Sequence, residues 1–170
     1  MAIYEVDPDE NRAPGSKALR KGRASEALAC YSLTVNQVDR QPILADDDPA
    51  GIIVGSLDYL RKDHHIRLLA FCVMPDHVHF VAYLLEKKSL SQVMKSFGAY
   101  TAREINALFG RTGRLWHHDH RCRDDRDIEE HVTYAEYNPV RAGLVERAED
   151  WPYSSAHPEC RCVLDLTWYP

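Results

Sequence analysis

The chain has 170 residues, a length suited to one domain with a sizeable core. Charged residues at 28% beside 45% hydrophobic ones exclude wholesale disorder, and no apolar run approaches the roughly 20 residues of a membrane span. A net charge of −5 excludes a uniformly basic nucleic-acid binder, so any such role must rest on how charge is distributed.

Residues 1–25 are rich in Pro, Gly, Ser and charge, and read as a polar N-terminal arm. The alternation from Ala29 to Val35 predicts a first strand. Asp46, Asp47 and Asp48 followed by Pro49 open a helix to about Lys62, with Ile52, Ile53, Leu57 and Leu60 at helical spacing. Ile66 to Met74 is an almost continuous apolar strand; Pro75-Asp76 turns it into a second strand from His77 to Leu85.

Ser89 caps a helix to Phe109, whose stripe includes Leu90, Val93, Met94, Phe97, Tyr100, Ile105 and Leu108. Arg114 to Cys122 is expected to be a further strand. Asp127 then caps a helix from Ile128 to about Tyr137, which Asn138-Pro139 is expected to disturb. The order β-α-β-β-α-β-α predicts an α+β fold: one antiparallel sheet with helices on one face, spanning 26–150, with 151–170 as a C-terminal tail.

Five cysteines, odd in number and scattered, argue against a disulfide framework. With no secretory pattern in the first 23 residues, the expected compartment is cytoplasmic, with no membrane partner. Charge is polarised. Nine basic residues between Lys87 and Arg126 face four acids, and Lys17, Arg20, Lys21 and Arg23 form a second cluster.

The chemistry concentrates in VMPDHVHF, residues 73–80. Residues two apart on a strand share a face, so His77 and His79 stand side by side as a metal half-site. The later helix offers Tyr134 and Asn138 at i, i+4, on one helix face. An amide oxygen with two imidazoles, phosphate and water suits Mg²⁺ or Mn²⁺, and Tyr134 beside them would be a phenolate nucleophile. Tyr137, three residues on, is its rival.

Three blocks in order, VMPDHVHF (73–80), YAEYNPVRAGLV (134–145) and WPYSS (151–155), resemble the single-tyrosine HUH transposases. More narrowly they are similar to the REP-associated tyrosine transposases, relatives of IS200/IS605-type enzymes. The resemblance implies a ferredoxin-like (RRM-like) sheet of the HUH endonuclease type. It implies an enzyme that cleaves and rejoins single-stranded DNA beside hairpins through a 5′-phosphotyrosine. On this pattern Tyr134 matches the nucleophile, and His77, His79 and Asn138 match the ligands of Mg²⁺ or Mn²⁺.

The partner so implied is hairpin-forming single-stranded DNA, bound by a monomer or a homodimer. Lys95, Arg103, Arg111, Arg114, Arg121 and Arg123 are the candidates for backbone contacts, and Arg141 lies close enough to the Asn-Pro step to meet a phosphate. His117, His118 and His120 have no assigned role. A hairpin binder that keeps the fold without turnover is the alternative. A small-molecule hydrolase would need further ligands at a strand end, which the sequence does not supply.

Overall fold

The computed structural model describes residues 28–117 and 127–165, together with the backbone of 121–124. Strands β1 (Cys30–Asn36), β2 (Ile66–Val73), β3 (His77–Leu84) and β4 (Arg121–Asp124) form an antiparallel sheet in the order β2-β3-β1-β4. Helices α1 (Asp47–Lys62), α2 (Leu90–Leu108) and α3 (Ile128–Arg141) complete the βαββαβα order expected of a ferredoxin-like α+β fold.

Local signals explain the two long helices. Asp47 and Asp48 open α1 and Arg61 and Lys62 close it, so charge opposes the helix dipole at both ends. Ser89 and Gln92 form a reciprocal capping box at the start of α2. Ile53, Leu57 and Leu60 of α1 and Val93, Phe97 and Ile105 of α2 are buried at helical steps. They pack on one face of the sheet with Leu33, Val35, Val78, Phe80 and Ala82. Each such large side chain contributes roughly 1.5–3 kcal/mol of transfer free energy. Tyr100 and Leu108, at the margin of the expected stripe, are exposed instead.

Strand alternation places His77, His79, Val81 and Tyr83 on the opposite face. There a smaller cluster of Cys30, Leu69, Ala70 and Val81 receives Ala135, Ile128 and Val132 of α3. The expectation of helices on one face thus describes α1 and α2, while α3 covers part of the other. The physical reason is the length of β2: Leu68, Ala70, Phe71 and Cys72 are all buried, so both of its faces require cover.

Two expected boundaries move. The strand expected from Arg114 to Cys122 is β4, at Arg121–Asp124, whereas Leu115 and Trp116 join the core. Their apolar character reflects that burial, and a Gln37–Trp116 bridge, with Val38 N donating to the Leu115 carbonyl and His117 N to the Asn36 carbonyl, links this segment to the end of β1. The expected break at Asn138-Pro139 is also absent: α3 runs on to Arg141 with Pro139 buried inside it. The ring removes the bond its own nitrogen would make to the Ala135 carbonyl, two residues before the helix ends.

Residues 151–165 lie along β2. Val73 N donates to the Tyr153 carbonyl at 2.8 Å, Ser155 N to the Phe71 carbonyl at 2.9 Å, and Trp151 Nε1 to the Val73 carbonyl at 2.9 Å. The arm expected at 1–25 lies outside the described residues.

Candidate active site

The β2–β3 turn delivers His77 to the first position of β3, closed by Met74 N donating to the His77 carbonyl at 2.8 Å. His77 Nε2 and His79 Nε2 face each other at 3.0 Å. The other nitrogen of each ring is held elsewhere. His77 Nδ1 lies 2.5 Å from Asp76 Oδ1, and His79 Nδ1 lies 2.9 Å from Thr34 Oγ1 on the neighbouring β1.

Burial pushes His79 down to about 3, and the positive charges of His77 and Arg141 add to the effect, so its imidazole is neutral at physiological pH. Burial alone would raise the Asp76 carboxyl. Hydrogen bonds from His77 and Arg40, with their charges, outweigh it and hold the carboxyl below the usual range.

From the other side α3 presents Tyr134. Its ring stands edge-on to His79 with centroids 5.6 Å apart, in the same chain. Two turns on, the Arg141 guanidinium lies 4.7 Å above the Tyr134 ring centroid. This contact exists because α3 continues through Pro139. Tyr134, Asn138 and Arg141 fall at i, i+4 and i+7, one stripe of the helix. Asn138 Nδ2 donates to the Tyr134 carbonyl at 3.1 Å, folding the amide back along the helix. Tyr134 is 43% exposed and Tyr137 52%, so neither is a core tyrosine.

The spacing of the imidazole pair fits a divalent ion. Two adjacent ligands, each about 2.1 Å from one octahedral ion, stand about 3.0 Å apart, which is the separation of the two Nε2 atoms. Among the described residues no group of three His, Cys, Asp or Glu side chains converges. Cys72, under the histidines on β2, is pushed up to about 12 by burial and stays a thiol.

The structure therefore brings together His77, His79, Tyr134 and Arg141, with Asn138 one turn along. Lys95 and Arg103 sit on α2, across the sheet from the histidines, where Arg103 pairs with Glu104. Arg111 reaches Gln41 at 3.2 Å and Asp39 at 3.6 Å, and Arg114 is exposed in the loop after α2. In β4, Arg121 is in register with Thr34 and Arg123 with Ser32. His117 N bonds the carbonyl of Asn36, the residue opposite His77, whereas His118 and His120 lie outside the described residues.

Sequence reasoning missed Thr34, Arg40 and Asp76. Thr34 is 45 residues from His79 and carried no signal. Asp76 did carry one: a carboxylate next to the first histidine, read only as part of a turn.

The family described as "Transposase IS200 like" matches residues 30–123, more than half of the chain. A REP-associated tyrosine transposase, provisionally so named, from Haemophilus influenzae is 32% identical over 109 residues, covering 56% of this chain and 62% of that protein. The REP-associated tyrosine transposase of Escherichia coli is 28% identical over 118 residues, covering 64% of this chain and 66% of that one. The chain thus spans a little under two thirds of the length of each of these relatives.

Among solved structures, a REP-associated tyrosine transposase bound to a REP hairpin aligns with TM-score 0.65 and 21% identity, over 87% of this chain and 89% of that one. A provisionally assigned transposase from Deinococcus radiodurans aligns with TM-score 0.50 and 20% identity, over 78% and 97%. These two likenesses speak for the fold. No helix among the described residues is long and apolar enough to cross a membrane. By the family match across β1 to β4, the chain belongs to the IS200-like transposases.

Proposed function

We propose that this protein cleaves and rejoins single-stranded DNA beside hairpins, with Tyr134 as nucleophile and His77, His79 and the amide oxygen of Asn138 as ligands of Mg²⁺ or Mn²⁺. The observation that carries this reading is the contact of the Tyr134 ring with His79, whose Nε2 faces that of His77 at 3.0 Å. A tyrosine, an imidazole pair and a guanidinium on one face of the sheet suit phosphodiester chemistry. The relative whose structure holds a REP hairpin supports the choice of DNA partner.

The Tyr134 oxygen attacks the scissile phosphorus and loses its proton to water. The bond from phosphorus to the 3′-oxygen breaks, and that oxygen takes a proton to become a 3′-OH. The 5′-phosphate stays on Tyr134, which conserves one phosphodiester-type bond for attack by a second 3′-OH. When bound, the metal supplies charge stabilisation to the phosphate oxygens. Arg141, over the Tyr134 ring, meets the same phosphate as a point of positive charge. Arg121 and Arg123, in register with Thr34 and Ser32, and Arg111 and Arg114, in the loop after α2, are the further residues proposed to meet the DNA backbone.

Incubation with labelled hairpin-bearing single strands and Mg²⁺ or Mn²⁺ tests this. An SDS-resistant adduct is expected from the wild type, absent with EDTA and absent from Tyr134→Phe. An adduct undiminished in Tyr134→Phe overturns the nucleophile, and Tyr137→Phe then identifies the rival. Salt-dependent hairpin binding with no cleavage under any metal would make the protein a binder only.

A further inference from the structure

Asp76 is assigned above to neither metal nor DNA, yet both of its carboxylate oxygens are engaged. Oδ1 meets His77 Nδ1 at 2.5 Å, and Oδ2 accepts from an Arg40 guanidinium nitrogen at 2.9 Å. The backbone around it is pinned as well. Gln37 N donates to the Asp76 carbonyl and Leu44 N to the Pro75 carbonyl, each at 2.9 Å. Between those two anchors Arg40 adopts φ +52°, a left-handed conformation that non-glycine residues rarely take. The same loop is braced by Gln37, fully buried, whose Oε1 accepts from Gln41 N at 2.8 Å.

A metal-binding imidazole is neutral and carries one proton, so the ligand nitrogen is set by where that proton sits. A carboxylate only accepts, so Asp76 requires the proton of neutral His77 to be on Nδ1 and leaves the Nε2 lone pair facing His79. Thr34 imposes no such choice, because its hydroxyl can donate or accept. The two histidines are therefore unequal. With His77 Nε2 an acceptor, the 3.0 Å contact requires His79 Nε2 to donate, and Thr34 then donates to His79 Nδ1. For both Nε2 atoms to bind an ion, only the His79 proton must move, to Nδ1, where Thr34 Oγ1 accepts it.

We infer that Asp76, anchored by Arg40, is a positioning residue that fixes His77 as the preformed metal ligand, while His79 exchanges tautomer with Thr34 as the ion enters. This rests on the metal reading above, and the test separates the two.

Mn²⁺ binding to the DNA-free protein is measured by titration calorimetry or electron paramagnetic resonance for the wild type and for Asp76→Ala, Asp76→Asn and His77→Ala. Imidazole ¹⁵N spectra of the metal-free proteins report the tautomers, and hairpin binding in EDTA reports the fold. Asp76→Ala is expected to weaken Mn²⁺ about 10- to 100-fold and to give His77 a mixed tautomer. Asp76→Asn, whose amide oxygen still accepts from Nδ1, is expected to recover part of the loss. Arg40→Gly, which adopts the left-handed backbone without strain and removes the guanidinium, is expected to weaken the ion severalfold. The Asp76 and Arg40 variants are expected to bind hairpin in EDTA as the wild type does. Wild-type Mn²⁺ affinity in Asp76→Ala, with His77→Ala having lost the ion, overturns the role of Asp76 alone. Equal Mn²⁺ binding by wild type and His77→Ala overturns the metal reading and this proposal with it.

Discussion

The ring of Tyr134 stands edge-on to that of His79, centroids 5.6 Å apart, within a single chain. α3 reaches this position by packing Ile128, Val132 and Ala135 on the same sheet face that carries the histidines. The proposed nucleophile, placed beside the histidines of its own chain, makes a specific prediction for mixed proteins. Tyr134→Phe and His77→Ala, each expected to form no covalent DNA adduct alone, are expected to remain inactive when combined at equal concentration. Recovery of adduct in the mixture would show that the tyrosine serves a partner's histidines.

His79 gives the metal-free protein an acid-sensitive fold. Its pKa is near 3 when folded and about 6.5 when unfolded, so between those values the unfolded chain binds more protons. Its stabilising contribution is therefore complete above about pH 6.5 and lost as pH falls toward 3, with a limiting slope of about 1.4 kcal/mol per pH unit. The Asp76 carboxyl, held low, adds a loss that begins only below about pH 4. Urea melts in EDTA from pH 8 to 4 are expected to show the decline, and His79→Gln is expected to flatten it above pH 4. An unchanged profile in His79→Gln would mean that the imidazole is not the buried neutral group described above.

Much of this was legible in the sequence because the apolar residues recur with the period of the element that buries them. Leu90, Val93, Phe97 and Ile105 announce α2, and the alternation of His77, His79 and Val81 with Val78, Phe80 and Ala82 announces the two faces of β3. Tyr134 and Asn138 share a helix face by spacing alone. What was not legible depends on tertiary contact. Leu115 and Trp116 have the apolar character of a strand, yet they fill the core beside Phe97 and Ile105. Trp116 Nε1 finds a buried partner in Thr101 Oγ1 at 2.8 Å. Pro139 removes the bond its nitrogen would make to the Ala135 carbonyl, yet α3, packed on the sheet, continues to Arg141. Thr34 becomes a partner of His79 only through the β1–β3 register.

The orientation of α3 depends on a buried hydroxyl at the far end of the chain. Ser155, 1% exposed, donates to Glu136 Oε1 at 2.8 Å and accepts from Phe71 N at 3.0 Å. It thereby ties the tyrosine helix to β2 two residues from Tyr134. Ser155→Ala leaves the Phe71 N–H without this partner, and the expected cost is about 1–3 kcal/mol by urea unfolding. Adduct yield is expected to fall further than stability alone explains, because the nucleophile loses its fixed approach. Mn²⁺ affinity is expected to fall less than adduct yield, since two of the three proposed ligands, His77 and His79, belong to β3 and only Asn138 to α3. A parallel loss of Mn²⁺ affinity would show that the clasp supports the whole site and not the helix alone.

The sheet separates the basic residues into two groups, and salt dependence can tell them apart. Arg141 lies on the histidine face over the Tyr134 ring, whereas Lys95 and Arg103 are exposed on α2 behind the sheet. Each phosphate contact contributes about one unit to the slope of log affinity against log salt. A hairpin bound on the histidine face is therefore expected to lose about one unit of slope in Arg141→Ala and none in Lys95→Ala or Arg103→Ala. The measurement is fluorescence anisotropy with a labelled hairpin in EDTA, across roughly 50–200 mM salt. Arg141→Lys should keep the slope, because a lysine also neutralises one phosphate, while losing the planar group that stacks on Tyr134. Equal losses from Arg141, Lys95 and Arg103 would mean that the DNA wraps around both faces of the sheet, and the site would then read a longer duplex stem than the histidine face alone can hold.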